Sequence, residues 1–288
     1  MTRLFFTRLV GTCLLVLLSS AGAAFTPEPS ESELETKAHY NDLLPTTVVV
    51  RVVAHRSLVL GHEVGGARVT ITDLATGQLL ASGTQQGEPG DQSQIMRTPH
   101  LMNEPVYSGR AAASFTTTLE LARPTLVEIA AEGPLAYPSA LQRTSTTVLL
   151  TPGHDLTGDG IVLQLYGYLV QIEHPKAGES LIAKEDVMLR ASVRTLSGSL
   201  VRPHSDWDSR QVHIYGELLI GGRVVDRLQM FYTGEKSFFE APFFVPISKE
   251  APDGLTLRVI AADVAAGNFG MGSAQYPVLS ERLRPKKN

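Results

Sequence analysis

The sequence predicts an all-β protein, two tandem β-sandwiches after a signal peptide. Three observations carry that expectation. From Pro45 to Val278 apolar residues recur with period two, the spacing of strands and not of helices. Turn-forming Gly, Pro, Asn and Asp separate the runs at hairpin intervals. A chain of 288 residues that is 43% hydrophobic and 19% charged has enough apolar material for two buried cores.

Arg3 and Arg8 precede an apolar stretch from Leu9 to Leu18, and small residues follow from Ser19 to Ala24. Ala21 and Ala23 supply the A-x-A pattern of a secretory signal, so residues 1–24 are expected to be removed and the mature chain to be periplasmic or secreted. The only Cys, Cys13, lies inside this segment, which excludes an intrachain disulfide and a Cys-based zinc site. No later run reaches about 20 apolar residues without charges, so no membrane span is expected in the mature chain. A net charge of −4 lacks the basic excess of a nucleic-acid binder.

Residues 25–44 form an acidic leader, with Glu28, Glu31, Glu33, Glu35 and Asp42 against Lys37. Ser32 and Glu35 have capping-box spacing, so a short helix over 32–44 is the alternative to an unstructured leader. The first domain is expected over 45–152. Val48, Val50 and Val52 alternate with Val49, Arg51 and Val53, a strand buried on both faces. Arg68–Asp73 and Leu79–Ser82 flank the turn sequence Ala75-Thr76-Gly77-Gln78, a β-hairpin. Further strands are expected at 113–121, 126–131 and 142–150. Between them, residues 85–110 form a long loop in which Gly87, Pro89, Gly90, Pro99 and Pro105 oppose regular structure. Residues 153–160 read as a linker. The second domain, 161–279, opens on a long strand pattern over 161–173. It continues through alternating runs at 187–193, 212–220, 223–232, 237–245, 255–262 and 271–278, and a basic tail closes the chain at 280–288.

The run Gly66-Ala67-Arg68-Val69-Thr70-Ile71-Thr72-Asp73-Leu74-Ala75-Thr76-Gly77, with Leu80-Ala81 and Gly83-Thr84, resembles the opening hairpin of transthyretin-like sandwiches. These include carboxypeptidase regulatory-like domains and the B-type repeats of collagen adhesins. The resemblance covers residues 46–84. His174-Pro175-Lys176-Ala177-Gly178 with the alternation from Val187 to Val193 resembles bacterial immunoglobulin-like domains. So does Pro252-Asp253-Gly254-Leu255-Thr256-Leu257 with Ala261-Ala262-Asp263 and Ala266-Gly267-Asn268, for a coverage of 162–278. These resemblances imply a transthyretin-like sandwich followed by an immunoglobulin-like one.

No G-x-S-x-G, H-E-x-x-H or P-loop is present, so catalysis is not expected. Two clusters have the oxygen or imidazole ligands that divalent cations take. Asp155, Thr157 and Asp159, with Gly160 next, occupy the first positions of a calcium loop, but Tyr166 stands where its bidentate Glu belongs. The first reading is therefore a plain Asp/Gly turn between the domains, with calcium binding as the alternative. His204, Asp206 and Asp208 share a polar loop with the only Trp, Trp207, which reads as a cap on the sandwich end. In the long loop, Met96, Leu101, Met102 and Tyr107 are apolar and either pack back on the first sandwich or, with Trp207, contact a partner. The aromatic pairs Phe231-Tyr232, Phe238-Phe239 and Phe243-Phe244 should bury one member each. The resulting expectation is a non-catalytic exported binding or scaffold protein, without a cofactor, that contacts another exported protein or a surface polymer. The alternative is a periplasmic accessory or assembly factor for a redox or metal enzyme, binding Ca2+ or another divalent cation.

Overall fold

Residues 42–102, 104–109 and 111–280 are described by a computed structural model, in which they belong to a single compact unit. The expected signal peptide, the leader up to residue 41 and the basic tail from 281 lie outside the described residues.

Seven strands build the first sandwich: β1 (Leu44–Ala54), β2 (Arg68–Asp73), β3 (Leu79–Thr84), β4 (Phe115–Leu121), β5 (Thr125–Gly133), β6 (Gln142–Leu150) and β7 (Leu156–Leu165). One sheet has the order β3-β2-β5-β6 and the other β4-β1-β7. All neighbours are antiparallel except β1 and β7, which run parallel. The alternation in β1 turns Val48, Val50 and Val52 into the core, against Val69, Ile71, Val127, Ile129, Leu163 and Leu165. The β2–β3 hairpin forms where the sequence places it. Asp73 Oδ1 accepts the amides of Ala75 (2.7 Å) and Thr76 (3.2 Å), an Asx turn that fixes the reversal.

The boundary between the sandwiches falls later than expected. Residues 156–165 are a strand of the first sandwich, not a linker followed by the start of the second. Pairing jumps from Val48–Leu156 to Val50–Ile161, so Thr157–Gly160 bulge out of the β1–β7 ladder. Gly160 sits at φ +65°, and a Cβ there would lie 2.1 Å from the Val49 carbonyl oxygen. The Asp/Gly chemistry that reads as a linker is thus that of a bulge. The apparent single strand over 161–173 divides at Tyr166-Gly167, because only these two residues separate two runs of the same period.

The second sandwich contains β8 (Tyr168–His174), β9 (Leu181–Ile182), β10 (Asp186–Thr195), β11 (His213–Ile220), β12 (Arg223–Gln229), β13 (Phe231–Tyr232), β14 (Phe238–Phe244), β15 (Leu255–Asp263), β16 (Asn268–Tyr276) and β17 (Val278–Leu279). The sheets have the orders β8-β10-β14-β13 and β12-β11-β15-β16. In chain order these are the A-B-E-D and C′-C-F-G sheets of an immunoglobulin-like fold. The run over 223–232 is split at buried Met230, where the chain crosses from one sheet to the other. Phe239 and Phe243 are buried whereas Phe231 and Phe244 are exposed, as alternation requires. No helix among the described residues is long and apolar enough to cross a membrane.

The long loop contains one short helix, α1 (Gln92–Arg97), against the expectation of no regular structure. Asp91 caps it by accepting the Gln94 amide at 2.8 Å, and Gly90 and Pro99 lie outside its ends. Ile95 and Tyr107 pack on Val53, Val59 and Ala113 of the first sandwich.

Candidate functional site

The features that combine chemistry with access gather where the two sandwiches meet. Leu169 and Leu196, from the second sandwich, belong to the hydrophobic core of the first. Ser57, Thr195 and Ser197 form a buried hydroxyl triangle with sides of 3.1, 2.8 and 2.9 Å. Arg194 Nη2 donates to the Tyr137 hydroxyl at 2.8 Å and to Gln171 Oε1 at 2.9 Å, with its guanidinium over the Tyr137 ring. Asn268 accepts the Gly167 amide at 2.5 Å and donates back to its carbonyl at 3.3 Å, holding the crossover. His55 stacks on Tyr166 at 4.2 Å. Its Nδ1 lies 2.8 Å from the Gln164 amide nitrogen and its Nε2 3.1 Å from the Ala266 carbonyl. A neutral ring protonated at Nε2 satisfies both contacts.

The loop carrying α1 is tied to both sides of this junction. Asp159, at the β7 bulge, accepts the Val106 amide at 2.6 Å and the Tyr107 amide at 2.8 Å. Asp206, on the loop between β10 and β11, accepts from Arg97 Nε (3.1 Å) and Nη2 (2.8 Å) and from Gln92 Nε2 (2.5 Å). The Arg97 fork holds the Asp206 carboxyl below the usual carboxylate range. Arg210 does the same to Asp208, which also caps the turn Ser209–Gln211. Burial pushes the Arg51 guanidinium down, opposed by the charge of Asp159.

The six metal candidates are therefore placed apart in function. The Asp155 carboxylate accepts the Thr47 amide at 2.7 Å, Asp159 holds the long loop, and Thr157 lies in the bulge between them. His204 sits in the left-handed region at φ +58°, while Asp206 and Asp208 each close on a different arginine. Among the described residues no group of three or more His, Cys, Asp or Glu is arranged to hold a metal ion.

The five contact candidates divide. Tyr107 is partly buried against the first sandwich, and Met96 lines a cavity of about 160 Å³ at the junction with His55, Arg56, Trp207 and Asp263. Trp207 donates from Nε1 to the Arg56 carbonyl at 3.2 Å and packs on the second core, so it joins the sandwiches as well as capping one. Leu101 and Met102 stand out in solvent at 74% and 99% exposure. Their turn is closed by Glu104, which accepts the Leu101 amide at 3.2 Å and donates its own amide to the Leu101 carbonyl at 3.1 Å. Between α1 and the β10–β11 loop opens a cleft of about 320 Å³, lined by Arg97, Arg202, His204, Ser205, Asp206 and Trp207. Sequence reasoning missed His55, Arg56, Gln92, Arg97 and Arg202. They carry no motif and lie far apart along the chain.

No family model matches the chain, and no curated protein matches it in sequence. Solved structures that align with it include the fibronectin(III)-like modules of Clostridium thermocellum CbhA, at 12% identity over 85% of this chain and 99% of that one, with a TM-score of 0.28. The titin I67–I69 variant aligns at 9% identity over 83% and 66%, with a TM-score of 0.26. The Ig1+Ig2 fragment of DIP-gamma aligns at 9% over 83% and 98%, with a TM-score of 0.22. At these scores the fold rests on the strand pairing described above, and no activity is carried across.

Proposed function

We propose that this is an exported, non-catalytic binding protein in which two sandwiches act as one rigid body and the long loop at their junction contacts another exported protein. One observation carries the reading. The loop is fastened at Asp159 and Asp206, yet its closed turn presents Leu101 and Met102 outward. A preorganised apolar tip loses little conformational entropy on binding, the economy expected of a contact element. The signal-like residues 1–24 support export, and the hairpin β2–β3 supports a transthyretin-like first sandwich.

The test replaces both tip residues, Leu101→Ser and Met102→Ser, and compares capture from the exported fraction with the unaltered protein. The expected result is loss of a specifically captured protein at an unchanged melting temperature, because neither side chain packs against the body. Equal capture by both proteins would remove the tip from the contact surface.

A further inference from the structure

The cleft between α1 and the β10–β11 loop is a second opening on the loop that carries the apolar tip, and its chemistry is cationic. Arg202 is exposed, and its guanidinium makes no hydrogen bond or ion pair with any described residue. His204 is also exposed and lines the same cleft. In the same lining Arg97 already grips a carboxylate, that of Asp206, through Nε and Nη2. The cleft lining thus combines one arginine–carboxylate pair with a second arginine whose guanidinium is paired to no described residue.

We infer that this cleft binds a carboxylate of a partner polypeptide, an Asp or Glu side chain or a C-terminus, between Arg202 and His204. The inference rests on the binding-protein reading above and names the chemistry of the partner. A planar guanidinium matches a carboxylate through two parallel hydrogen bonds, and a neighbouring imidazole adds a third donor. A polyanion such as a sulfated polysaccharide or a nucleic acid is engaged by a stripe of Lys and Arg. Two arginines and a histidine around about 320 Å³ make a spot that suits a single acidic group. Leu101 and Met102 on the adjoining loop supply apolar contact of the kind a polypeptide segment complements.

Trp207 lines the cleft and is the only Trp in the chain, so the Trp signal comes from one residue, at this cleft and the junction cavity beside it. The experiment titrates the full chain with four probes: a capped hexaglutamate peptide, a capped hexaglutamine peptide, a glutamine peptide with a free C-terminus, and a sulfated polysaccharide. Saturable change with hexaglutamate but not with capped hexaglutamine supports the site with a side-chain carboxylate. Saturation with the free-C-terminus peptide supports it with a terminal one.

Arg202→Glu should weaken the effective peptide about tenfold or more, the loss of a charge-assisted contact. Asp206→Asn should tighten it, since Arg97 is then released to the ligand. Opposite shifts from the two variants cannot arise from misfolding. The inference is overturned if neither carboxylate peptide changes the signal, if only the polysaccharide saturates, or if Arg202→Glu binds as the parent does. Because these probes do not involve the exported partner, a failure here leaves the tip experiment standing, and the reverse also holds.

Discussion

Asp206 closes on Arg97 across 109 residues of chain, with Arg97 Nη2 2.8 Å from Oδ2. The pair joins the loop of the first sandwich to a loop of the second. Its carboxyl is held below the ordinary range, first by the Arg97 hydrogen bonds and then, against the opposing effect of burial, by Gln92.

This sets a pH dependence with a definite sign. A carboxyl whose folded pKa is depressed stabilises the fold above its unfolded pKa of about 4, and that contribution fades as pH falls through the lower folded value. Asp206→Asn should melt below the parent at pH 7, and the two curves should converge on acidification below about pH 4. A constant gap between their melting temperatures across that range would show that the pair makes no titrating contribution.

Gln85 substitutes for a strand. Its Oε1 accepts the Val52 amide at 2.6 Å, while its Nε2 donates to the carbonyls of Val52 (3.0 Å) and Leu60 (2.8 Å), at 1% exposure. The β4 partner of β1 ends opposite Val50, so Gln85 satisfies backbone groups that pairing with β4 leaves open. Gln85→Leu keeps the volume but takes this partner from the Val52 amide and the Leu60 carbonyl, while the Val52 carbonyl keeps the Leu60 amide at 2.9 Å. Urea unfolding should show a loss of about 2–4 kcal/mol. A loss under about 1 kcal/mol would mean that water replaces the side chain.

What could be read from the sequence follows from the range of each signal. Alternation in β1, β10 and β15, and the Asx turn after β2, are set by neighbouring residues and were legible. The end of β7 was not, because Leu163, Leu165 and Leu169 continue one apolar pattern although the chain changes sandwich between them. Helix α1 was hidden by the glycines and prolines that flank it, with Asp91 as the available clue. The junction was illegible for a different reason. Arg97–Asp206, Gln164–His55 and Ser57–Thr195 are each separated by more than 100 residues and follow no motif. Asp159 and Asp206 were noticed for their carboxylates, but the groups that would engage those carboxylates could not be anticipated.

Gly160 separates the bulge from a calcium loop. An alanine there must relieve both a left-handed φ of +65° and a Cβ placed 2.1 Å from the Val49 carbonyl oxygen. Gly160→Ala should therefore destabilise the first sandwich by roughly 2 kcal/mol or more, with or without calcium. Differential scanning fluorimetry in calcium and in chelator checks both parts. A calcium-dependent rise in the melting temperature of the parent, lost in the variant, would restore the cation loop.

The sandwiches should unfold as one. Leu196 belongs to the second sandwich by sequence, following β10 directly, but it is fully buried in the core of the first, beside Leu169. The buried hydroxyls of Ser57, Thr195 and Ser197 seal the same contact. Separating the sandwiches would expose this leucine and leave those hydroxyls without their partners, so neither half can melt without cost to the other. Calorimetry on the full chain should give a single transition, with its calorimetric and van't Hoff enthalpies in agreement. Leu196→Ala removes apolar contact from both halves at once and should cost about 2–4 kcal/mol, the range for deleting a buried leucine side chain. The variant should lower the melting of Tyr137 signals in the first sandwich and of the Trp207 signal at the junction together. Two transitions in the parent, with Leu196→Ala moving only one, would show instead that the halves fold independently and that the junction is merely a surface contact.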